Sequence, residues 1–173
     1  MTNVVLIGMP GCGKSTVGVL LAKMLGLSFV DTDTVLQKRE KRKLQPMIDE
    51  IGVDAFLLRE EEAVCSLEAD HAVIATGGSV VYGPRAMAHL HEDGLVVYIR
   101  LPYEIIERRL SNLATLGVTL RPGQTLRDLY DERVPLYERE ADVVFDAGNG
   151  SVEEAAAALA DCLRARMEDA HGG

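Results

Sequence analysis

Gly8-Met9-Pro10-Gly11-Cys12-Gly13-Lys14-Ser15 is the stretch whose reading decides the fold. It keeps the spacing of a phosphate-binding loop: glycine, four residues, then Gly-Lys-Ser. Before it, Asn3-Val4-Val5-Leu6-Ile7 is a short, β-branched apolar run suited to a buried parallel strand. After it, Val17, Leu20, Leu21, Met24 and Leu25 recur at helical spacing. Strand, glycine loop and helix in that order turn backbone N–H groups and a helix N-terminus toward a phosphate. Lys14 then offers a mobile positive charge to the β- and γ-phosphates, and the Ser15 hydroxyl is the expected Mg²⁺ ligand. The competing reading, a glycine-rich turn that matches by chance, is disfavoured by the strand and helix on either side. The loop therefore implies a nucleoside triphosphate ligand.

The chain has 173 residues, enough for one compact domain with a sizeable core. With 18 basic and 27 acidic residues its formal net charge is −9, which disfavours non-specific binding to nucleic acid or to an anionic membrane. No apolar run approaches transmembrane length, and the N-terminus does not read as a basic, apolar, cleavable leader. The three cysteines, Cys12, Cys65 and Cys162, are odd in number and lack metal-ligand spacing, so a reducing, cytoplasmic location is expected. Cys12 has two open readings. Ahead of a helix N-terminus its thiolate is favoured, yet a small residue also simply fills a tight loop. The run from Lys38 to Lys43 reads as a solvated helix face, and Glu60, Glu61 and Glu62 as a charged helical surface.

Strand and helix patterns alternate along the rest of the chain. Ser28-Phe29-Val30 leads to Asp31-Thr32-Asp33 and a polar helix over 34–42. A short turn near Pro46 precedes a helix over 54–67. Ala72-Val73-Ile74-Ala75 is a third strand, ending in Thr76-Gly77-Gly78-Ser79. A helix over 84–91, a strand over 95–99 and a helix over 103–112 follow, then an irregular stretch over 113–125 broken by Gly117, Pro122 and Gly123. A helix over 126–140, a strand over 143–145 and an alanine-rich helix over 152–167 complete the pattern. Alternation of this kind gives an α/β fold, a five-stranded parallel sheet with helices on both faces. Ligands of such sheets lie beyond the carboxyl ends of the strands, so the loop, Asp31-Thr32-Asp33 and Thr76-Gly77-Gly78-Ser79 should converge.

Asp31 and Asp33 stand two apart at a strand end and so are expected to point the same way. One carboxylate can hold Mg²⁺ while the other orients or deprotonates an acceptor hydroxyl. A plain helix cap is the alternative, and the neighbouring phosphate loop favours function.

From the first strand to about Phe145 the chain resembles the shikimate kinases, within the small P-loop kinases akin to nucleoside-monophosphate kinases. The pieces are Gly-x-x-Gly-x-Gly-Lys-Ser-Thr at 8–16 with Gly18 following, Asp-Thr-Asp at 31–33, and Phe56 with Glu60. Ala-Thr-Gly-Gly at 75–78 and Arg133-Val134-Pro135-Leu136-Tyr137 complete the set. The resemblance implies a three-layer P-loop kinase fold with a single domain over 1–167, a small lid at about 113–125 and a frayed tail over 168–173. ATP and Mg²⁺ would be held by Gly11, Cys12, Gly13, Lys14, Ser15 and Thr16, with Arg109, or equally Arg108, against the adenine and Ser15 and Asp31 at the metal. Lys14, Asp33 and the lid's Arg121 would be catalytic. Asp33, Gly77, Gly78, Ser79 and Arg133 would bind the acceptor, Arg133 as one arm of a carboxylate clamp, and Glu60 could orient a neighbouring arginine.

Three positions depart from the family pattern. Leu57 stands where the family has an arginine after the phenylalanine, Ser79 replaces a third glycine, and the lid reads Leu120-Arg121-Pro122-Gly123 in place of Arg-Pro-Leu-Leu. Arg59 lies two residues beyond Leu57, about 200° around a helix, and should face elsewhere. The reading is a monomeric, ATP-dependent kinase of a small hydroxylated metabolite, with shikimate, an intermediate of aromatic amino acid biosynthesis, as leading acceptor. The alternatives are a kinase of another polyol or hydroxy acid, of the gluconate type, and a P-loop protein that holds nucleotide without turnover.

Overall fold

The computed structural model describes residues 3–111 and 118–172. The first strand, β1 (Asn3–Ile7), feeds α1 (Lys14–Leu25); β2 (Ser28–Asp31) feeds α2 (Thr32–Glu40), α3 (Leu44–Ile51) and α4 (Val53–Cys65). Next come β3 (Ala72–Ala75), a 3₁₀ turn (Val80–Tyr82), α5 (Pro84–Asp93), β4 (Gly94–Arg100) and α6 (Tyr103–Ser111). The described chain ends with α7 (Leu126–Glu140), β5 (Val143–Asp146) and α8 (Val152–His171).

The five strands form one sheet in the order β2-β3-β1-β4-β5, and every pairing is parallel. β1 is the middle strand: Val5 faces Ile74 of β3 on one side and Val96 of β4 on the other. From Val4 to Ile7 its residues are apolar without alternation because both faces are covered. Right-handed crossovers running in opposite directions from the centre put α1 and α5 on opposite faces. The main core is built from Val5, Leu6 and Ile7, Val73, Val96 to Ile99, and inward residues of α1, α5, α7 and α8 such as Leu21, Met87, Tyr137 and Leu159. A satellite core of Leu36, Met47, Ile48, Phe56 and Ala63 ties α2, α3 and α4 together. Among the described residues no helix is long and apolar enough to cross a membrane.

Four local expectations change. α2 begins at Thr32 rather than Thr34, because the Asp31 side chain accepts from the amides of Asp33 and Thr34 and so starts the helix. Residues around Pro46 form α3 instead of a turn: proline is tolerated in a first turn, and Leu44, Met47, Ile48 and Ile51 lie at helical spacing. α8 continues past Met167 to His171, so residues 168–171 of the expected tail are helical. Glu60 and Glu61 are buried, against the expected charged surface. Both Glu61 carboxylate oxygens are engaged: Oε2 accepts the amide of Arg85 at 3.0 Å, and Oε1 accepts its guanidinium, anchoring the start of α5 to α4. Of the expected lid, 113–117 lie outside the described residues, and 118–125 carry no helix or strand.

One tight contact sets the entry of β4. A Cβ on Gly94 would lie 2.5 Å from the Leu90 carbonyl oxygen and 2.8 Å from a methyl of Val5, both fixed by helix and sheet. Gly94→Ala should therefore destabilise the fold by about 1–3 kcal/mol, the usual cost of overpacking. Urea unfolding would measure it, and wild-type stability would contradict this account of the β1–β4–α5 junction.

Candidate active site

The phosphate loop leaves β1 and enters α1 through Gly13, which is left-handed at φ 91° and caps the helix without a side-chain hydrogen bond. The first-turn amides are thus left for an anion. Lys14 is buried, and its Nζ donates to the carbonyls of Gly8 at 2.7 Å and Met9 at 2.9 Å. Cys12 is 3% exposed and packs in the main core, which favours the reading of a small residue filling the loop. Arg109 of α6 donates to the Gly11 carbonyl at 3.2 Å, so it is this arginine that lies over the loop.

The two aspartates do not share a strand face, because the helix begins between them. Asp31 ends β2, and its two oxygens do separate jobs. Oδ1 caps α2 by accepting from the Asp33 amide at 2.9 Å, while Oδ2 accepts from the Ser15 hydroxyl at 2.8 Å. This hydroxyl–carboxylate pair at the loop offers the hard oxygen donors that Mg²⁺ takes. Asp33 sits one step into the helix and is pushed up to about 6, first by burial and next by Asp31, with Lys14 pulling the other way.

The turn after β3 completes the site. The Thr76 hydroxyl donates to the Leu6 carbonyl at 2.7 Å, fastening this turn to β1. At Gly77 a Cβ would lie 2.6 Å from Glu60 Oε2 and 2.8 Å from Asp33 Oδ1, so only glycine lets the two carboxylates converge there. Glu60 accepts from the Ser79 hydroxyl at 2.7 Å. Burial raises its carboxyl to about 7; Asp33 adds to the rise, and Ser79, Arg133 and Lys14 oppose it. Arg133 is 1% exposed. Its guanidinium donates to the Thr119 hydroxyl and to Tyr82 and lies over the Tyr82 ring, while Nη1 would be 3.0 Å from a Cβ on Gly78. One turn along α7, the Tyr137 hydroxyl donates to the Gly78 carbonyl at 2.5 Å.

These groups line one cavity of about 720 Å³. Gly11, Gly13, Lys14, Ser15, Thr16 and Arg109 form its loop side; Asp33, Glu60, Gly77, Gly78, Ser79 and Arg133 form the other. Of the expected site residues, Cys12, Asp31 and Arg121 do not line it. Arg121 is paired with the exposed Asp54 at 2.8 Å. Arg59 pairs with Glu40 at 3.1 Å, and Leu57 packs against the satellite core. Neither Arg59 nor Leu57 lines the cavity. Val118 and Thr119 of the lid stretch do, and Thr119 was not singled out from the sequence because a lone threonine in an irregular stretch carries no pattern. A smaller hollow of about 390 Å³, lined by Asn3, Asp70 and His89 among others, shares no residue with this site.

A family model described as shikimate kinase matches residues 10–164. A shikimate kinase of Thiobacillus denitrificans is 41% identical over 154 residues, 87% of this chain and 84% of that protein. One from Thermodesulfovibrio yellowstonii is 37% identical over 160 residues, 90% and 91% of the two chains. Among solved structures, shikimate kinase from Acinetobacter baumannii in complex with shikimate is similar with a TM-score of 0.85 at 28% identity, covering 96% of this chain and 94% of that one. The Aquifex aeolicus shikimate kinase is similar with a TM-score of 0.77 at 29% identity, over 99% of both chains.

The buried Glu60 makes stability depend on pH in a stated direction. Its folded value of about 7 lies above its ordinary 4.5, so the folded chain holds this proton where the unfolded chain has lost it. Stability from this group is full below about pH 4.5, declines as pH rises, and is lost above about 7. The difference amounts to about 3 kcal/mol. Glu60→Gln keeps an acceptor for Ser79 without the charge. In urea unfolding without nucleotide it should be more stable than wild type at pH 8, and the gain should shrink toward pH 5. A variant no more stable at pH 8 would show that the buried carboxylate costs nothing.

Proposed function

The chain belongs to the shikimate kinase family, and on that premise we propose how its own residues carry out the reaction. The reaction is the ATP-dependent phosphorylation of a shikimate hydroxyl, a step of aromatic amino acid biosynthesis. The observation that carries the assignment of roles is the meeting of Lys14, Asp33 and Arg133 in one cavity. A protein that only holds nucleotide needs the first of these and neither of the others.

The loop amides and the start of α1 bind the phosphates of ATP, and Arg109 above the loop stacks on the base. Ser15 and Asp31 would hold Mg²⁺, which would supply positive charge to offset that of the phosphates. Arg133 takes the substrate carboxylate, its planar guanidinium fixed by Tyr82 and Thr119 where it lines the cavity. Asp33, pushed up to about 6, is still ionised at neutral pH and basic enough to accept the proton of the attacking hydroxyl. The hydroxyl oxygen then bonds to the γ-phosphorus as the bond to ADP breaks. Lys14 stabilises the charge on the transferring group, leaving its contacts with the Gly8 and Met9 carbonyls to do so. Arg121 is the lid cation assigned to the same group, an exchange of the Asp54 carboxylate for a phosphate. The enzyme works as a monomer in the cytoplasm, where its three unpaired thiols suit reducing conditions.

The deciding experiment is phosphoryl transfer from ATP to shikimate. Asp33→Asn should lower kcat by about 10²–10⁴-fold, the usual worth of a positioned base, while ATP binds as before. Lys14→Met should also lose orders of magnitude in kcat. Full activity in Asp33→Asn would remove the aspartate from the chemistry, and wild-type preference for another hydroxy acid would overturn the acceptor.

A further inference from the structure

Glu60 is a buried carboxylate facing a polar substrate, and the mechanism above leaves it idle. It is 4% exposed, lines the acceptor side of the cavity, and its Oε2 converges with Asp33 Oδ1 on the space beside Gly77. Such a group is costly to bury unless something holds it and something binds it. No guanidinium lies alongside it on α4. Leu57, one turn earlier, packs into the satellite core, and Arg59 turns away to Glu40. Among the described residues its hydrogen-bond donor is Ser79, whose hydroxyl reaches Oε1 at 2.7 Å. Ser79 is itself buried, at the end of the turn that carries Gly77 and Gly78.

The geometry assigns a job to this pair. We propose that Ser79 is a positioning residue that sets acceptor specificity. By donating to Glu60 Oε1 it holds Oε2 beside Asp33, so that the two carboxylates together take two neighbouring hydroxyls of the acceptor, a vicinal diol. Asp33 receives the hydroxyl that is phosphorylated, and Glu60 receives the one next to it. This rests on the reading of the site as an acceptor pocket for shikimate, which carries adjacent hydroxyls. It explains why a serine and a leucine can stand at these two positions together: the serine hydroxyl fixes Glu60 where the α4 surface offers no cation to do so. The convergence at Gly77 fits the same job, since any side chain there would separate the two acceptors.

The test is a series of wild type, Ser79→Ala, Ser79→Thr and Glu60→Gln. Each is assayed with shikimate and with an analogue lacking the hydroxyl adjacent to the reacting one, and shikimate binding is also measured by calorimetry without nucleotide. Ser79→Ala should weaken shikimate by about tenfold in both KM and Kd, the lower range for a hydrogen bond to a charged group. Its KM for ATP should stay at the wild-type value. It should also stop discriminating against the deoxy analogue, and Ser79→Thr, which keeps the hydroxyl, should restore both properties. Shikimate affinity should rise with pH with a midpoint near 7 in the wild type as Glu60 ionises. That midpoint should move up in Ser79→Ala and vanish in Glu60→Gln. Asp33 on α2, Lys14 at the start of α1 and Arg133 on α7 also face Glu60 and are unchanged in all four proteins. Wild-type shikimate affinity in Ser79→Ala overturns the proposal. So does a parallel loss of shikimate affinity, ATP affinity and Tm, which would make Ser79 a residue of the fold alone. Absence of wild-type turnover with shikimate would instead strike the acceptor assignment, and this proposal with it.

Discussion

β1 is paired on both edges, to β3 through Val4–Leu6 and to β4 through Asn3–Ile7, and the site follows from that constraint. A strand held this way has no free backbone and no polar face, so it is apolar from Val4 to Ile7 and its functional residues must come after it ends. Because all pairings are parallel, the ends of β1, β2 and β3 lie side by side at one rim. The loop at Gly8–Gly13, the cap at Asp31 and the turn at Thr76–Ser79 are therefore neighbours in space. Hydrogen bonds fasten that rim, among them the Thr76 hydroxyl to the Leu6 carbonyl, and the Gly77 amide to the Thr32 hydroxyl at 3.3 Å. Chemistry placed there inherits the rigidity of the sheet.

The rim concentrates charge that the fold alone would not choose. Burial raises both Asp33 and Glu60, Asp31 adds to the rise at Asp33 and Asp33 to that at Glu60, and Lys14 opposes the rise in each. Arg133, itself 1% exposed, adds a second cation near Glu60. Two carboxylates, Asp33 and Glu60, and three cations, Lys14, Arg109 and Arg133, line one cavity, a formal excess of one positive charge. The cavity is thus better matched to a polar, anionic ligand than to its own side chains. That is the arrangement expected of a site organised in advance for charge that develops on another molecule.

The parts legible in the sequence are those where a local pattern and the final structure share one cause. The loop spacing, the apolar run of β1 and the span of α7 are such cases, as is the turn at Gly77-Gly78. Glu60 and Glu61 were opaque for a definite reason: three adjacent glutamates read as a solvated face, and only the approach of the Thr76–Ser79 turn and of Arg85 makes two of them interior. Pro46 masks α3 because a proline reads as a break although it sits in a first turn, and the spacing of Leu44, Met47, Ile48 and Ile51 is the available signal. Asp31 reads in the sequence as either a cap or a functional carboxylate. With two oxygens, it does cap α2 and also reaches Ser15.

The two halves of the cavity are built from different materials, and this bears on which of them can change. The side assigned to nucleotide is made largely of backbone: loop amides, the open end of α1, and carbonyls that hold Lys14 and Arg109. A spacing of glycines specifies it, and few other sequences would. The side assigned to the acceptor is made of side chains from α2, α4, the Gly77–Ser79 turn and α7, joined by single hydrogen bonds. There a donor lost from one element can be supplied by another, as Ser79 supplies Glu60. α7 holds that side together. Arg133 reaches Thr119, and Tyr137, one turn on and stacked on Tyr98, secures the Gly78 carbonyl. A helix with both contacts on one face couples the turn beside the acceptor to the stretch at 118–125. Substitutions on the acceptor side can therefore retune what is bound while the phosphate chemistry, resting on backbone, stays as it is.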